Sequence, residues 1–490
     1  MRKILKPILL WRDRINQKMV GKHADLWLGL TSSAVCGILA VVMLFLSPVL
    51  GVADDGTLDS VMKGAGLAYP DGYEASASYF VKDYVWNVNQ GTGYHSVQTL
   101  VIQAAKFISQ AVTGGRTFDI RFLAFLYLLM FLPAVMLFVN AASSRLPKFS
   151  QKLVPAAGAV IILGDVGYLT YFNSFYPEAL IIICLLYMTG AALSLQKGGK
   201  WEYVWLFVFA AAASVLCFVR QYCFLAGIAG MVFCLLRISD QEDRKWKTAV
   251  VLATVFMAVS SMGSFLFLEK DFNKADKLHA MTRGVLLQSD NPEETLEEFG
   301  IDPSYSMLAD VSAYDEFPVT TGENKILEEE FFSHYDTGDI VRYYAKHPQK
   351  MLSMLELSAR ANMDVIRENC GNYEISENKP PGARSVFWSA YSIFKNRSLP
   401  KTIGYMFVLV IISAAVTARG FSLKKKKDRK KRVYFHWVIT MTLFCVAATC
   451  FVIIQSGEAA LIQYNCQLGI VTDILLYLTI TETLELLNIL

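Results

Sequence analysis

The sequence predicts an all-α polytopic membrane protein. It would be a bundle of about ten transmembrane helices with extracytoplasmic loop helices and a larger α-rich extracytoplasmic insert. Three observations carry that prediction. Of the 490 residues, 54% are hydrophobic and only 18% charged, against about a quarter in soluble domains. Apolar runs near twenty residues recur along the chain, each long enough as a helix to cross about 30 Å of hydrocarbon. The connections between those runs alternate between short basic loops and a second set without such basic clusters, two of them long, the charge pattern of a chain threaded back and forth.

Taken in order, the apolar runs fall near 26–50, 120–140, 153–171, 177–195, 202–219, 222–237, 248–268, 402–419, 433–455 and 461–480. The first follows a basic segment with Arg2, Lys3, Lys6, Arg12, Arg14, Lys18 and Lys22. It is longer than a signal-peptide core and lacks a small-x-small cleavage site, so it reads as a retained span. One set of connections holds that basic segment, Arg145/Lys148/Lys152, Lys197/Lys200, Arg237/Arg244/Lys245/Lys247 and the run Lys424–Arg432. Short Lys/Arg-rich loops stay cytoplasmic, which puts both termini in the cytoplasm. The other set, 51–119, 172–176, 220–221, 269–401 and 456–460, then lies outside. Three sections follow: an N-terminal transmembrane module, 1–268, carrying the first outer loop at 51–119; an insert, 269–401; and C-terminal transmembrane helices, 402–490.

Within the first loop, Val97, Leu100, Val101, Ala104, Ala105, Ile108 and Val112 repeat at helical spacing, with Gln98, Gln103 and Lys106 opposite. That pattern suits a helix lying on the membrane surface. A second short helix is expected over Ala75–Trp86. In the insert, helical stretches are expected at Pro292–Phe299, Lys325–His334, Gly338–Lys346 and Gln349–Arg367, with turns at Asp302-Pro303 and Lys379-Pro380-Pro381-Gly382.

Several function classes are excluded or disfavoured. A net charge of +3 is too small to argue for a nucleic-acid partner, and the Lys/Arg run between two spans reads as a topology anchor. The nine cysteines lack metal spacing and mostly sit in apolar runs, as small buried hydrophobes. The histidines form no cluster, so no metal site is expected. No GxGxxG, P-loop or GxSxG is present.

The candidate site starts at Gly51-Val52-Ala53-Asp54-Asp55-Gly56-Thr57-Leu58-Asp59, where the chain leaves the first span. Adjacent carboxylates at a membrane surface suit acid–base chemistry, with Asp54 and Asp55 as candidate catalytic residues; the alternative is a solvated helix cap. Arg220, beside Gln221 between two short spans, would hold a phosphate at the outer mouth of a hairpin; the alternative is a snorkelling arginine. The tight turn Tyr171-Phe172-Asn173-Ser174-Phe175-Tyr176-Pro177-Glu178 packs polar and aromatic groups suited to sugar recognition, which nominates Asn173, Tyr176 and Glu178. Glu178 at a helix start would alternatively stabilise the helix N-terminus. Asp165 lies mid-run, where a charge is costly and usually paired. Glu458 and Asp473 on the last hairpin are further candidates for the same outer cavity. A bilayer enzyme facing outward works on a lipid-borne or exported substrate, and transfer from a polyprenyl-phosphate sugar fits.

Together with the acidic loop and the turn, Arg283-Gly284-Val285-Leu286, Ser289-Asp290-Asn291-Pro292-Glu293, His347-Pro348, Gly371-Asn372-Tyr373-Glu374 and Pro380-Pro381 occur in an order that resembles the bacterial surface-glycan hexose transferases of the WsfD-like type. These lie within the GT-C superfamily of polytopic membrane glycosyltransferases. The resemblance implies a GT-C-like bundle in the bacterial plasma membrane and an undecaprenyl-phosphate-linked sugar donor. It also implies a glycan or glycolipid acceptor, and an essential acidic residue just after the first span, here Asp54 with Asp55 beside it. It implies no particular cofactor firmly and leaves a divalent cation at that loop open. Tyr464 stands where such proteins tend to carry histidine. Two other functions stay open on the sequence: a glycolipid flippase or exporter using Asp165 and Arg220, and a non-enzymatic subunit of a polysaccharide assembly complex.

Overall fold

A computed structural model describes residues 23–72, 78–87, 95–195, 201–240, 243–268, 274–313, 325–365, 367, 369–418, 429–459 and 461–487. Part of the expected 75–86 helix, the N-terminal basic segment, Lys197, Lys200 and most of the Lys/Arg run lie outside the described residues.

Helices dominate. Four are long and apolar enough to cross a membrane, Ala24–Leu44, Arg121–Ser143, Arg244–Phe267 and Arg429–Ser456. Two bent pairs raise the number to six. Phe149–Leu163 turns by 57° into Val166–Asn173, and Ala390–Ser398 turns by 104° into Ile403–Ala418. Glu178–Ser194, Trp201–Cys217 and Gln221–Leu235 are apolar but shorter, and Cys466–Leu487 carries Asp473, Glu482 and Glu485. By length and composition, then, four to six of the expected spans qualify.

Glu178–Ser194 is the central helix. Every residue of it but Tyr187 is buried, which is why its sequence is apolar all round rather than striped. It packs between Arg121–Ser143 and Trp201–Cys217. At the periphery, Arg244–Phe267 turns Leu252, Val255, Val259, Leu266 and Phe267 outward. Exposed apolar surface on that scale is what hydrocarbon covers.

Contacts sort the connections into two groups at two ends of the bundle. At one end Arg145 pairs with Glu482, Lys152 with Asp25, Arg429 with Glu202, and Trp246 donates to the Arg237 carbonyl. At the other, Ala53 meets Asn369, Val97 meets Phe218, Arg283 pairs with Glu458, and Asn362 donates to the Leu461 carbonyl. These are the same two groups that the charge pattern separates.

Two small antiparallel sheets at the second end correct the all-α expectation. One pairs β1 (Leu50–Val52) with the strand at Cys370–Tyr373, in the register Leu50 to Tyr373 and Gly51 to Asn372. The other orders β2 (Leu67–Ala68), β3 (Asp83–Trp86) and β4 (Thr117–Asp119). The expected helix over 75–86 is wrong at its C-terminal part, since residues 83–86 form β3. Asp83 is exposed, Tyr84 buried and Val85 and Trp86 half-buried, and the segment is held as a strand by its pairing with β2 and β4.

Asp165 is not mid-helix. The span breaks at Gly164, and Asp165 caps the next turn, its Oδ1 accepting from the Gly167 N–H at 2.9 Å while Oδ2 accepts from the Ser392 N–H and hydroxyl at 3.0 Å. The insert helices form at Pro292–Glu298, Lys325–Glu330, Thr337–Lys346 and Pro348–Asn362.

The helix Val97–Thr113 also forms, closed by Gly114 in the left-handed conformation. Its buried face is Gln98, Thr99, Ile102, Ala105 and Ser109, while Leu100, Phe107 and Val112 are exposed. Polar and small residues therefore dock it on the protein, and its large apolar residues face away.

Candidate active site

The acidic loop is held from three sides. From the insert, the β1 pairing continues as a hydrogen bond from the Ala53 N–H to the Asn369 carbonyl at 2.9 Å. The Asn369 side chain returns a bond to the Ala53 carbonyl at 3.0 Å. From the tight turn, the Tyr176 hydroxyl accepts from the Asp55 N–H at 3.0 Å and from Asn369 Nδ2 at 3.2 Å. Burial, and then the neighbouring Asp55 carboxylate, push the Tyr176 phenol pKa up, so it stays a neutral hydrogen-bonding group. From within the loop, the short helix Asp59–Ala65 ends at Gly66 in the left-handed conformation, delivering Tyr69 back to Asp54.

The two aspartates are therefore not equivalent. Asp54 is half-buried. Its Oδ2 accepts from the Tyr69 hydroxyl at 2.6 Å, and its Oδ1 from the Gly56 N–H at 2.8 Å. Asp55 is exposed, and its Oδ1 accepts from the Thr57 hydroxyl at 2.5 Å. Asp54 is thus oriented by a residue fifteen positions away, whereas the Asp55 side chain bonds Thr57 in its own turn and lies close to Tyr176. Asp59 pairs with Lys63 one helical turn on.

Behind the loop lies a buried charge cluster. Glu178, 1% exposed, accepts from Arg367 Nη1 at 3.0 Å and also feels Arg220 and Asp55. Burial alone would lower the Arg367 pKa; Tyr171 and Glu178 outweigh it and raise it, leaving a firm cation. Arg220 is buried with its guanidinium 5.7 Å from the Tyr464 ring centre, a cation–π arrangement, and Gln221 is buried beside it. Asn173 is fully buried, giving Nδ2 to the carbonyls of Leu44 and Leu50 at 3.0 and 2.9 Å. It braces the end of the first span against the turn and is enclosed by protein there.

Glu178, Arg367 and Lys395 line one enclosed cavity of about 20 Å³, with Tyr171 and Cys466. That holds about one water, not a sugar phosphate. Lys395 in turn pairs at 2.5 Å with Asp473, which Tyr168 also contacts. Of the two acidic candidates on the last hairpin, Asp473 thus serves a buried pair and Glu458 holds the insert through Arg283. Arg367, Asn369, Tyr69 and Lys395 are the residues that sequence reasoning missed. Among the described residues no group of three or more His, Cys, Asp or Glu side chains is placed to hold a metal ion.

The family described as the YfdI N-terminal transmembrane domain matches residues 17–488, all of the bundle and the insert. The chain belongs to this family. Among curated proteins and solved structures, none matches it. Membership makes this a multi-pass membrane protein and covers the acidic loop, the turn and the insert within one continuous match.

Proposed function

We propose that this chain is an inverting membrane glycosyltransferase of GT-C type. It moves a hexose from a polyprenyl-phosphate donor to an extracytoplasmic cell-surface glycan or glycolipid. The family match is compatible with a membrane glycosyltransferase. The observation that carries the reading is the Asp54 carboxylate, oriented by Tyr69 and backed by two cations, the buried Arg220 and the half-buried Arg367, around Glu178. The protein sits in the bacterial plasma membrane with both termini cytoplasmic, so the end carrying Asp54 faces out.

In this mechanism Asp54 takes the proton of the acceptor hydroxyl as that oxygen attacks the anomeric carbon of the donor sugar. The bond from that carbon to the phosphate oxygen breaks, and polyprenyl phosphate leaves with the electron pair. Arg220 and Arg367 supply the positive potential that stabilises the leaving phosphate. Asp55 steers the loop through its turn. Tyr176 ties the acidic loop through the Asp55 N–H and Glu178 fixes Arg367, with Asn173 holding their turn in place.

The test is transfer of lipid-borne sugar by Asp54→Asn, Asp55→Asn and the double variant. Loss of a general base lowers turnover by about 10²–10⁴-fold, and the loss should follow Asp54. Full transfer by a folded double variant refutes the assignment.

A further inference from the structure

The closed inner cavity directs attention to its neighbour. A cleft of about 450 Å³ opens between Arg384 and Arg397 and shares Asp364 with that cavity. Its volume falls in the range of small-molecule sites. Its polar lining includes Ser389 and Asn396, and Val386 and Ile393 form its apolar wall. Both arginines are exposed. Among the described residues Arg397 has no hydrogen-bond or ion-pair partner, and Arg384 reaches one backbone carbonyl, that of Arg367, at 3.3 Å. Asp364, the one carboxylate in the lining among the described residues, is engaged by Lys401 at 2.7 Å. The cleft therefore offers two guanidinium groups with donors to spare.

Its position decides what kind of anion fits. The lining helix Ala390–Ser398 turns by 104° into the apolar helix Ile403–Ala418, so the cleft sits where that helix leaves the bilayer. Val386 is 77% exposed, with Phe387, Trp388, Ile393 and Phe394 also outward. Aromatic and aliphatic side chains flanked by arginines are the composition of a headgroup-level surface. A free anion has no use for that wall; a phosphate on a hydrocarbon chain uses both halves.

We propose that this cleft is the entry site of the lipid-borne donor, where Arg384 and Arg397 take the phosphate oxygens and Val386 and Ile393 the chain before the phosphate reaches the field of Arg220 and Arg367. The proposal rests on the transferase reading and extends it, placing donor capture beside the Arg367–Glu178 cavity and linked to it through Asp364 and the Arg384–Arg367 contact.

The experiment compares full-length protein with the variants R384Q, R397Q and R384Q/R397Q, purified in detergent, for binding of undecaprenyl phosphate, phosphatidylglycerol and inorganic phosphate. Because both side chains are exposed, the variants should fold normally, and a melting curve checks it. We expect undecaprenyl phosphate to bind wild type, and the double variant to lose at least about tenfold in affinity, given the strength of charge-assisted hydrogen bonds. Phosphatidylglycerol and inorganic phosphate should bind much more weakly. Unchanged undecaprenyl phosphate affinity in the double variant overturns the cleft assignment, as does equal binding of either control ligand. Sugar transfer measured on the same samples separates the two ideas. Wild-type transfer with arginine-independent donor binding leaves the transferase standing and removes the cleft. Arginine-dependent binding in a protein that transfers nothing does the reverse.

Discussion

Glu178 and Arg367 form the most informative pair to perturb, because burial makes their loss asymmetric. Glu178 and Arg367 side chains are 2% and 14% exposed and meet at 3.0 Å. Removing one partner of such a pair leaves an uncompensated buried charge and costs about 3–5 kcal/mol. Glu178→Gln strands Arg367 and leaves Arg220 without the carboxylate it also faces, so it should fall at the top of that range. Arg367→Gln leaves Glu178 with Arg220 still nearby and should fall at the bottom. The double variant removes both charges together, so its cost should be smaller than the sum by roughly 0.5–3 kcal/mol. The assay is equilibrium unfolding in mixed micelles read by tryptophan fluorescence, paired with sugar transfer on each sample. If the pair only holds the fold, stability and transfer recover together in the double variant. If Arg367 serves the leaving phosphate, stability recovers and transfer does not. Additive costs, or Arg367→Gln costing more than Glu178→Gln, would refute the account of the cluster.

Other perturbations test the scaffold around it. A Cβ at Gly51 would lie 2.1 Å from the Phe80 ring. Gly51→Ala should therefore cost about 1–3 kcal/mol by overpacking and reduce transfer through the loop that β1 carries, and Phe80→Leu should restore part of both. Tyr176→Phe removes the acceptor of the Asp55 N–H and should cost about 1 kcal/mol with a measurable drop in turnover. Phe107, 72% exposed on the loop helix, should report on lipid. A tryptophan placed there by Phe107→Trp should be quenched by brominated lipid with little change in stability, and an unquenched signal refutes a membrane-facing surface.

The spans and their grouping are legible in the sequence because each signal is local. An apolar run needs only its own residues, and a basic loop needs only its charge. The same locality explains the failures. The residues 83–86 are too few to carry a period, and the strand exists because β2 and β4 flank it. Asp165 looked like a charge inside a span because Leu163 and Val166 continue the apolar run; its partner Ser392 is 227 positions away. Val97–Thr113 was legible as a helix, but which face it buries was not. A polar face that docks on protein and an apolar face that meets lipid invert the rule that holds for soluble domains.

The site divides along the same line. Asp54 is nominated by its place just past a span, and Tyr176 and Glu178 by a tight aromatic turn. Arg367 and Asn369 lie in an unremarkable stretch between an insert helix and a short strand, with no periodicity or motif to mark them. What gives them meaning is a pairing, Gly51 opposite Asn372, that spans most of the chain. Once that register is set, the residues just before the insert strand must lie beside those just after β1. Asn369 then meets Ala53, and Arg367, two residues earlier, reaches Glu178. The first loop and the insert thus build one site rather than two modules. Any substitution that breaks the β1 pairing should disable the acidic loop and the cation cluster together, even though no catalytic candidate has been touched.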